Sequence, residues 1–233
     1  MKKIRDQILI AGCVLIFNSI AYAVLPLPAN LIHFSSKQGE QMLTKSLNLT
    51  TLNLLQNYTT QHGVTYCGVA SAVMTLNALH LSPPDDLQHP PYKYFTQENF
   101  FTNAVSKFIK PEDAEKNGMT LAQLAQALQA HGVQAKPYYA NQLSLDKTRV
   151  ILREALNKQH PVIVNILRTN IKQVGGGHHS PLAAYDRESD RFLFLDVARY
   201  KYPAFWVKTS DLWQALNTID KDHGTYRGFI VVS

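Results

Sequence analysis

Residues 61–79 read QHGVTYCGVASAVMTLNAL, and this stretch predicts a helix that begins at a cysteine. The apolar residues Val69, Val73 and Leu76 recur at helical spacing after Cys67. Cys67 therefore stands at a helix N-terminus, where unpaired N–H groups and the positive end of the helix dipole favour a thiolate over a thiol. This position permits a reactive cysteine, whereas a single cysteine in a helix is more often a small buried hydrophobic residue.

The first residues of the chain have the pattern of a secretory signal peptide. A basic start precedes the apolar run 8–17 and the A-x-A cleavage motif at 21–23. We therefore predict a signal peptide at residues 1–23, one catalytic domain at residues 24–233, and a secreted or periplasmic protein. The apolar run is shorter than a membrane-spanning helix of about 18 residues or more, which favours cleavage over a retained anchor. No membrane contact is expected once the signal is removed.

The composition indicates a globular protein with an excess of positive charge. Hydrophobic residues make up 45% of the chain, enough for a packed core, and the net charge is +6. The lysines and arginines are scattered, which argues against a nucleic-acid partner and is compatible with a small anionic substrate. Cys67 is the only cysteine after residue 23. In an oxidising compartment it is therefore buried and inert, exposed and reactive, or paired with another molecule.

Helical patterns come first along the chain, and strand patterns follow. The spacing of apolar residues and the capping residues predict helices over 37–47, 66–81, 96–109, 121–130 and 144–157. Later, β-branched and aromatic runs predict strands over 162–167, 182–185, 192–197 and 229–232, with a turn at 186–190 and one more helix over 209–216. This order predicts an α+β protein of two lobes and leaves the order of the strands open.

A cysteine nucleophile needs a base, and the candidates lie in the strand half. The run GGGHHSP at 175–181 places His178 and His179 directly before the strand 182–185, and Asp196 ends the next strand. If these two strands pair as a hairpin, the start of the first lies opposite the end of the second. His178 and Asp196 are then neighbours, and the carboxylate can fix the imidazole tautomer and stabilise the imidazolium.

Two other features of the sequence bear on this hypothesis. Gln61 precedes Cys67 closely enough to donate its side-chain amide to a developing oxyanion together with the Cys67 backbone N–H. Alternatively, His178, His179 and Asp196 are ligands of a metal-binding module, with Cys67 as a further ligand. The residues alone leave both interpretations open.

Taken together, these stretches resemble the phytochelatin synthase family, which are papain-like cysteine transpeptidases acting on glutathione. The resemblance rests on Gln61 with YCG at 66–68, GHHSP at 177–181, DVARYKYP at 196–203, and RGF at 227–229. It covers nearly all of residues 24–233. It implies a papain-like cysteine protease fold of the α+β class, in which a helical lobe with the nucleophile is followed by an antiparallel β lobe carrying the histidine and the aspartate.

The resemblance also implies a role for each matching residue. Cys67 matches the nucleophile that attacks the carbonyl before the glycine of glutathione, releasing glycine and leaving a γ-glutamylcysteinyl thioester. His178, and not His179, matches the base; Asp196 matches its orienting partner and Gln61 the oxyanion donor. The residues that match those holding the acyl group are Asn165, Gly177, Arg199 and Arg227.

The acceptor of the acyl group then decides the product. In the family a second glutathione, often as a metal thiolate complex, yields a phytochelatin, whereas water yields γ-glutamylcysteine. The resemblance implies no tightly bound cofactor and no metal site, because cadmium or zinc enters as a glutathione complex. The short chain resembles the bacterial type, in which hydrolysis competes with polymer synthesis. A papain-like peptidase acting on other peptides is the alternative enzyme, and the oligomeric state is left open, a homodimer included.

One position departs from the plant members of the family. Phenylalanine commonly follows the catalytic histidine in those members, whereas His179 stands at this position here. The sequence leaves the consequence of this difference open.

Overall fold

The structure is a computed structural model, and it describes residues 24–233. The predicted signal peptide and its cleavage motif lie outside the described residues. Within residues 24–233, no helix has the length and apolar character needed to cross a membrane.

Seven α-helices are present in the described part of the chain. They are α1 (Lys37–Ser46), α2 (Leu49–Gln56), α3 (Cys67–Ala78), α4 (Pro111–Asn117), α5 (Leu121–Ala130), α6 (Leu145–Asn157) and α7 (Thr209–Leu216). Several of these helices begin at a residue whose side chain caps the helix N-terminus. The Ser36 hydroxyl accepts the Gly39 N–H at the start of α1, and Thr120 and Gln123 form a reciprocal capping box at the start of α5.

One antiparallel sheet of seven strands forms the centre of the structure, in the order β1-β6-β5-β4-β3-β9-β2. Its strands are β1 (Ile32–His33), β2 (Ala135–Tyr139), β3 (Val162–Leu167), β4 (Gly177–Asp186), β5 (Arg191–Phe194), β6 (Phe205–Lys208) and β9 (Gly228–Val232). The short strands β7 (Ile219–Asp220) and β8 (Thr225–Tyr226) form a separate hairpin. Because the strands are antiparallel, the start of β4 lies beside the residues that follow β5, as the hairpin argument requires.

Helices cover both faces of the sheet. On one face, α3 packs against the sheet with buried residues such as Met74 and Trp206. On the other face, α6 and α7 pack over buried aromatic residues such as Phe192 and Phe205. Cys67, the first residue of α3, is thereby held against the start of β4, where the two histidines stand.

The expected α+β class is confirmed, with the cysteine on a helix and the histidine and aspartate at neighbouring strands of an antiparallel sheet. The two halves of the chain are interleaved, because β1 and β2 come from the helical half and form the two edges of the sheet. The strand containing the histidines is longer than predicted, since β4 begins at Gly177.

The helix predicted over residues 96–109 is wrong. Thr96 and Asn99 bond each other's backbone N–H groups through their side chains, and Thr102 caps only a short 3₁₀ turn, Val105–Lys107. Phe108, near the end of this segment, is 41% exposed. Short polar side chains that bond the local backbone compete with helix formation, and here they prevail.

Candidate active site

Strand pairing brings His178 next to Asp196. His178 stands near the start of β4, and Asp196 lies two residues after the end of β5. The His178 Nε2 lies 2.8 Å from Asp196 Oδ1, and the Ser180 hydroxyl lies 3.0 Å from the same nitrogen. Both side chains of the pair are buried. The Asp196 carboxylate therefore accepts the Nε2–H and leaves Nδ1 of His178 for another partner.

Arg168 is a buried partner of Asp196 that the sequence analysis missed. Its two terminal nitrogens each lie 2.8 Å from one carboxylate oxygen, and the Ala198 backbone N–H donates to Asp196 Oδ1 at 3.0 Å. Burial alone would raise the pKa of Asp196, but the charges of His178 and Arg168 hold it well below its usual range. The only sequence signal was an arginine directly after the predicted strand 162–167.

The Cys67 thiol is almost buried, and it contacts imidazole rings. Its Sγ lies 3.8 Å from His179 Nδ1, and the side chain is 8% exposed. Burial raises the pKa of the thiol, but hydrogen bonding to His178 and His179, and their charges, bring it well below its usual range. Burial lowers the pKa of His178, whereas Asp196 and the hydrogen bond to Cys67 raise it above its ordinary value. These opposite shifts favour a thiolate–imidazolium pair.

Gln61 lies beside this pair, held by its backbone and its side chain. Its backbone N–H donates to the Val197 carbonyl at 2.9 Å, and its Nε2 donates to the Gly63 carbonyl at 2.5 Å. One hydrogen of Nε2 is thus used to fix the side chain. The expected role of Gln61 as an oxyanion donor would use the other hydrogen, and it stays a prediction.

A cavity of about 170 Å³ opens at the sulfur, and we call it the cysteine-side cavity. Its lining includes Cys67, Asn165, Gly177, His179, Asp220 and Arg227. The Arg227 Nη2 lies 3.2 Å from Asp220 Oδ1, and Nη1 donates to the Ile219 carbonyl at 2.6 Å. A Cβ at Gly177 would lie 2.8 Å from Arg227 Nη2, so glycine is needed for this close approach.

A second cavity, of about 180 Å³, lies on the other side of His178, and we call it the histidine-side cavity. Its lining includes Gln61, Gly177, His178, Tyr200 and Lys201. The two cavities share Gly177, so the catalytic pair stands between them.

Arg199 does not join the other candidate residues. Its side chain lies outside both cavities, with the guanidinium 4.7 Å above the ring of Tyr58. The Tyr58 hydroxyl in turn donates to the Asp196 backbone carbonyl at 2.7 Å. The side chain packs on Tyr58 behind Asp196, and the expected contact between Arg199 and the acyl group stays a prediction.

The sequence model of a family described as phytochelatin synthase matches residues 22–229. The chain belongs to the phytochelatin synthase family. A glutathione gamma-glutamylcysteinyltransferase 3 from Lotus japonicus is 33% identical, over 90% of this chain and 43% of that protein. A glutathione gamma-glutamylcysteinyltransferase 1 from Triticum aestivum is 32% identical, over 92% and 43%. The chain thus spans less than half the length of these plant members of the family.

A more distant phytochelatin synthase family member is found in fission yeast. The glutathione gamma-glutamylcysteinyltransferase of Schizosaccharomyces pombe is 25% identical, over 88% of this chain and 50% of that protein. Among solved structures, a C39-like peptidase from Bacillus anthracis is similar with a TM-score of 0.42 and 14% identity, over 76% of this chain and 94% of that one. This last similarity is too distant to bear on function.

The geometry does not favour the metal-binding alternative for this phytochelatin synthase domain. Within residues 24–233, no three His, Cys, Asp or Glu side chains converge in a way that could hold a metal ion. The His178 Nε2 and both oxygens of Asp196 are engaged with each other and with Arg168. The contact between His178 and Asp196 instead suits nucleophilic catalysis, in which a carboxylate orients a base.

Proposed function

We propose that this chain is a glutathione γ-glutamylcysteinyltransferase that also hydrolyses glutathione. Beyond family membership, one structural observation carries the proposal. A cavity that ends at the Cys67 sulfur also contains an arginine and a carboxylate side by side, Arg227 and Asp220. The γ-glutamyl end of glutathione carries an α-carboxylate and an α-ammonium on one carbon, and this pair of opposite charges is complementary to it.

In the first half of the proposed reaction, the Cys67 thiolate attacks the carbonyl carbon before glycine. The negative oxygen that forms is stabilised by the Cys67 backbone N–H at the start of α3 and by the Gln61 amide. As the C–N bond breaks, the protonated His178 gives its proton to the departing amine. Glycine leaves, and the γ-glutamylcysteinyl group remains on Sγ as a thioester.

In the second half, an acceptor attacks the thioester carbonyl. His178, now neutral, takes the proton of the acceptor amine or of water, and the C–S bond breaks to restore the thiolate. Asp196 stabilises the imidazolium in each half, and Arg168 keeps Asp196 charged. Transfer to the α-amine of a second glutathione forms a new amide bond and adds one γ-glutamylcysteine unit, whereas water releases γ-glutamylcysteine.

The leaving glycine and the acceptor are proposed to bind in the histidine-side cavity. Lys201 and Tyr200 line it next to His178, and an ammonium and a hydroxyl suit a carboxylate. The acceptor we propose is glutathione, free or as a cadmium or zinc thiolate complex, so the metal enters as part of the substrate. We also propose secretion or a periplasmic location, and a homodimer as the assembly to be tested by light scattering.

The proposal is tested by measuring free glycine after incubation with glutathione. We expect release by the wild-type protein and a loss of at least about a thousandfold in Cys67→Ala, since the nucleophile is removed. The matched control substrate is the isomer with an ordinary α-linked glutamate, which has no carboxylate on the carbon that bears the ammonium and is expected to react poorly. Equal cleavage of both isomers would favour the general peptidase, and undiminished release by Cys67→Ala would overturn the mechanism.

Mass spectrometry of the products, with and without cadmium, separates the two acceptors. Water as acceptor gives γ-glutamylcysteine alone. Glutathione as acceptor gives phytochelatin, and an increase of this product with cadmium would support the metal thiolate complex as substrate.

A further inference from the structure

The ring of His179 has no evident reason to be buried except its contact with Cys67. The side chain is 3% exposed, and its Nε2 is buried without a hydrogen-bond partner among residues 24–233. Its Nδ1 lies 3.8 Å from Cys67 Sγ. Buried polar groups are nearly always hydrogen-bonded, and leaving one unsatisfied is destabilising. The contact with the sulfur is therefore the polar interaction that this imidazole is placed to make.

The missing partner at Nε2 also favours one tautomer. If Nδ1 accepted a proton from a thiol, Nε2 would carry a hydrogen and would be a buried donor without an acceptor. If Nδ1 carries the hydrogen, it donates to a thiolate, and Nε2 keeps only a lone pair. An unsatisfied buried donor is the rarer of the two cases in proteins. The arrangement thus fits a His179 whose Nδ1–H donates to the charged sulfur.

We infer that His179 is a second hydrogen-bond donor to the Cys67 sulfur, so that two imidazoles hold the nucleophile of this enzyme. His178 is the base that carries the proton between the two half-reactions. His179 carries no proton to or from the substrate; it keeps the sulfur negative in the free enzyme, even where His178 has lost its charge.

The hydrogen bond from His179 has a further effect, on the second half-reaction, and this effect rests on the proposed function. When the thioester breaks down, the C–S electron pair returns to Sγ, and the acceptor's proton goes to His178. A hydrogen bond from His179 Nδ1 stabilises the sulfur as it becomes a thiolate again, which makes it a better leaving group. Loss of this donor is expected to slow the second half-reaction and to increase the fraction of acylated enzyme.

Other charged groups surround the pair and contribute to its pH dependence. On β4 itself, His178 is the neighbouring titratable group. The groups across the cysteine-side cavity are Asp220, Asp222, His223 and Arg227, and those around the histidine-side cavity are Arg168, Tyr200 and Lys201. All of them remain in the variants compared below, apart from His178 where it is changed.

The test is the pH dependence of Cys67 alkylation by iodoacetamide in the full chain, followed by mass spectrometry of the peptide that contains Cys67. His179→Phe keeps a ring of similar size and removes both nitrogens. We expect its alkylation midpoint to rise by about one pH unit, which is about tenfold less thiolate on the acid side. In His178→Ala, the pKa of Cys67 is expected to stay below the ordinary thiol value of about 8.5. In the double variant it is expected to lie close to that value.

Matched variants separate a donor role from packing. His179→Asn carries an amide N–H near the position of Nδ1 and should restore most of the shift, whereas His179→Leu, of nearly the same shape, should not. This pair carries the test if the Phe variant fails to fold. His131→Phe makes the same change at a half-buried histidine bonded to the Phe100 carbonyl, and should leave the midpoint unchanged. Identical midpoints for wild type, His179→Phe and His179→Leu would overturn the inference.

The alkylation test needs no substrate, so it is independent of the proposed function. In a separate arm, intact-mass measurement during turnover of glutathione should show more acylated enzyme in His179→Phe than in wild type. If the wild-type enzyme forms no thioester with glutathione, the proposed function fails while the alkylation result stands.

Discussion

The proposed mechanism requires a charged His178 in the active form, and this sets the expected pH dependence of the reaction. The thiolate must be present, which requires a pH above the lowered pKa of Cys67. The imidazolium must also be present, which requires a pH below the raised pKa of His178. Activity is therefore lost on the alkaline side as His178 loses its proton.

The loss of activity at high pH forms the alkaline limb of the pH profile. Asp196→Asn is predicted to move this limb to lower pH. The substitution removes the charge that raises the pKa of His178 and leaves the unpaired charge of Arg168, which lowers it. We expect a shift of about one pH unit or more in the profile of kcat/KM for glycine release. Asp190→Asn, at a carboxylate paired with Arg149 away from the cleft, is the control and should leave the limb in place. An unchanged limb in Asp196→Asn would contradict this assignment of His178.

Arg168 stabilises the folded protein because its partner carboxylate is fully buried. Arg168→Met is predicted to lower the free energy of unfolding by about 3–5 kcal/mol, since Asp196 then loses a bidentate partner. Arg149→Met breaks a salt bridge to Asp190 that is partly exposed and should cost about 1 kcal/mol or less. Urea denaturation of the two variants measures the difference. Equal losses would mean that the buried pair is no stronger than the surface pair.

At the residue scale, the sequence predicted the candidate catalytic residues, because their spacing indicates a mechanism. It did not predict the residues that hold those candidates in position. The contact between His178 and Asp196 could be predicted from hairpin pairing, because the pairing of two consecutive strands determines which residues lie opposite each other. Arg168 and Asp220 come from other segments, and their positions depend on the register of β3 and on the hairpin of β7 and β8. No local pattern fixes such contacts. Arg199, which was found by resemblance, is stacked on Tyr58, and its contact with the acyl group stays a prediction.

At the scale of elements, β4 joins the two histidines to the cysteine-side cavity. Its first residue, Gly177, lies against Arg227, and the next two residues are the histidines. Gly177→Ala is predicted to raise KM for glutathione about tenfold with little change in kcat, because the added Cβ displaces a buried guanidinium held by Asp220.

The matched control for this change is the adjacent residue. A Cβ at Gly176 would meet no atom within 4 Å, so Gly176→Ala should leave KM nearly unchanged. Steady-state glycine release by both variants tests the prediction. Similar KM values for the two would show that Arg227 does not hold the substrate.

Elements with strong local signals could be predicted, and those formed by tertiary pairing could not. α5 and α6 have capping residues and regular apolar spacing, and both were confirmed. β2 contains Pro137 and only one buried residue at its start, so its sequence carries little strand signal. It exists because it pairs with β9 at the edge of the sheet. The sequence therefore suggested two separate halves where the structure has one shared sheet.

At the scale of the whole molecule, this shared sheet predicts that the two halves unfold together. β1 and β2 come from the first half of the chain and pair with β6 and β9 of the second. Six of the seven helices in residues 24–233 precede β3, so far-UV circular dichroism reports mainly on the first half. The two tryptophans, Trp206 and Trp213, report on the second by fluorescence. We expect the two signals to give the same midpoint in urea.

A single substitution in the core tests whether the two halves unfold together. Leu156 on α6 is 1% exposed and packs in the core beneath the sheet, so Leu156→Ala should cost about 2–5 kcal/mol and lower both midpoints equally. Leu87→Ala, at a side chain that is 74% exposed, should move neither. If Leu156→Ala lowered the fluorescence midpoint alone, the halves would unfold as separate units. The edge strands would then contribute too little to couple the helix that carries Cys67 to the sheet that carries its base.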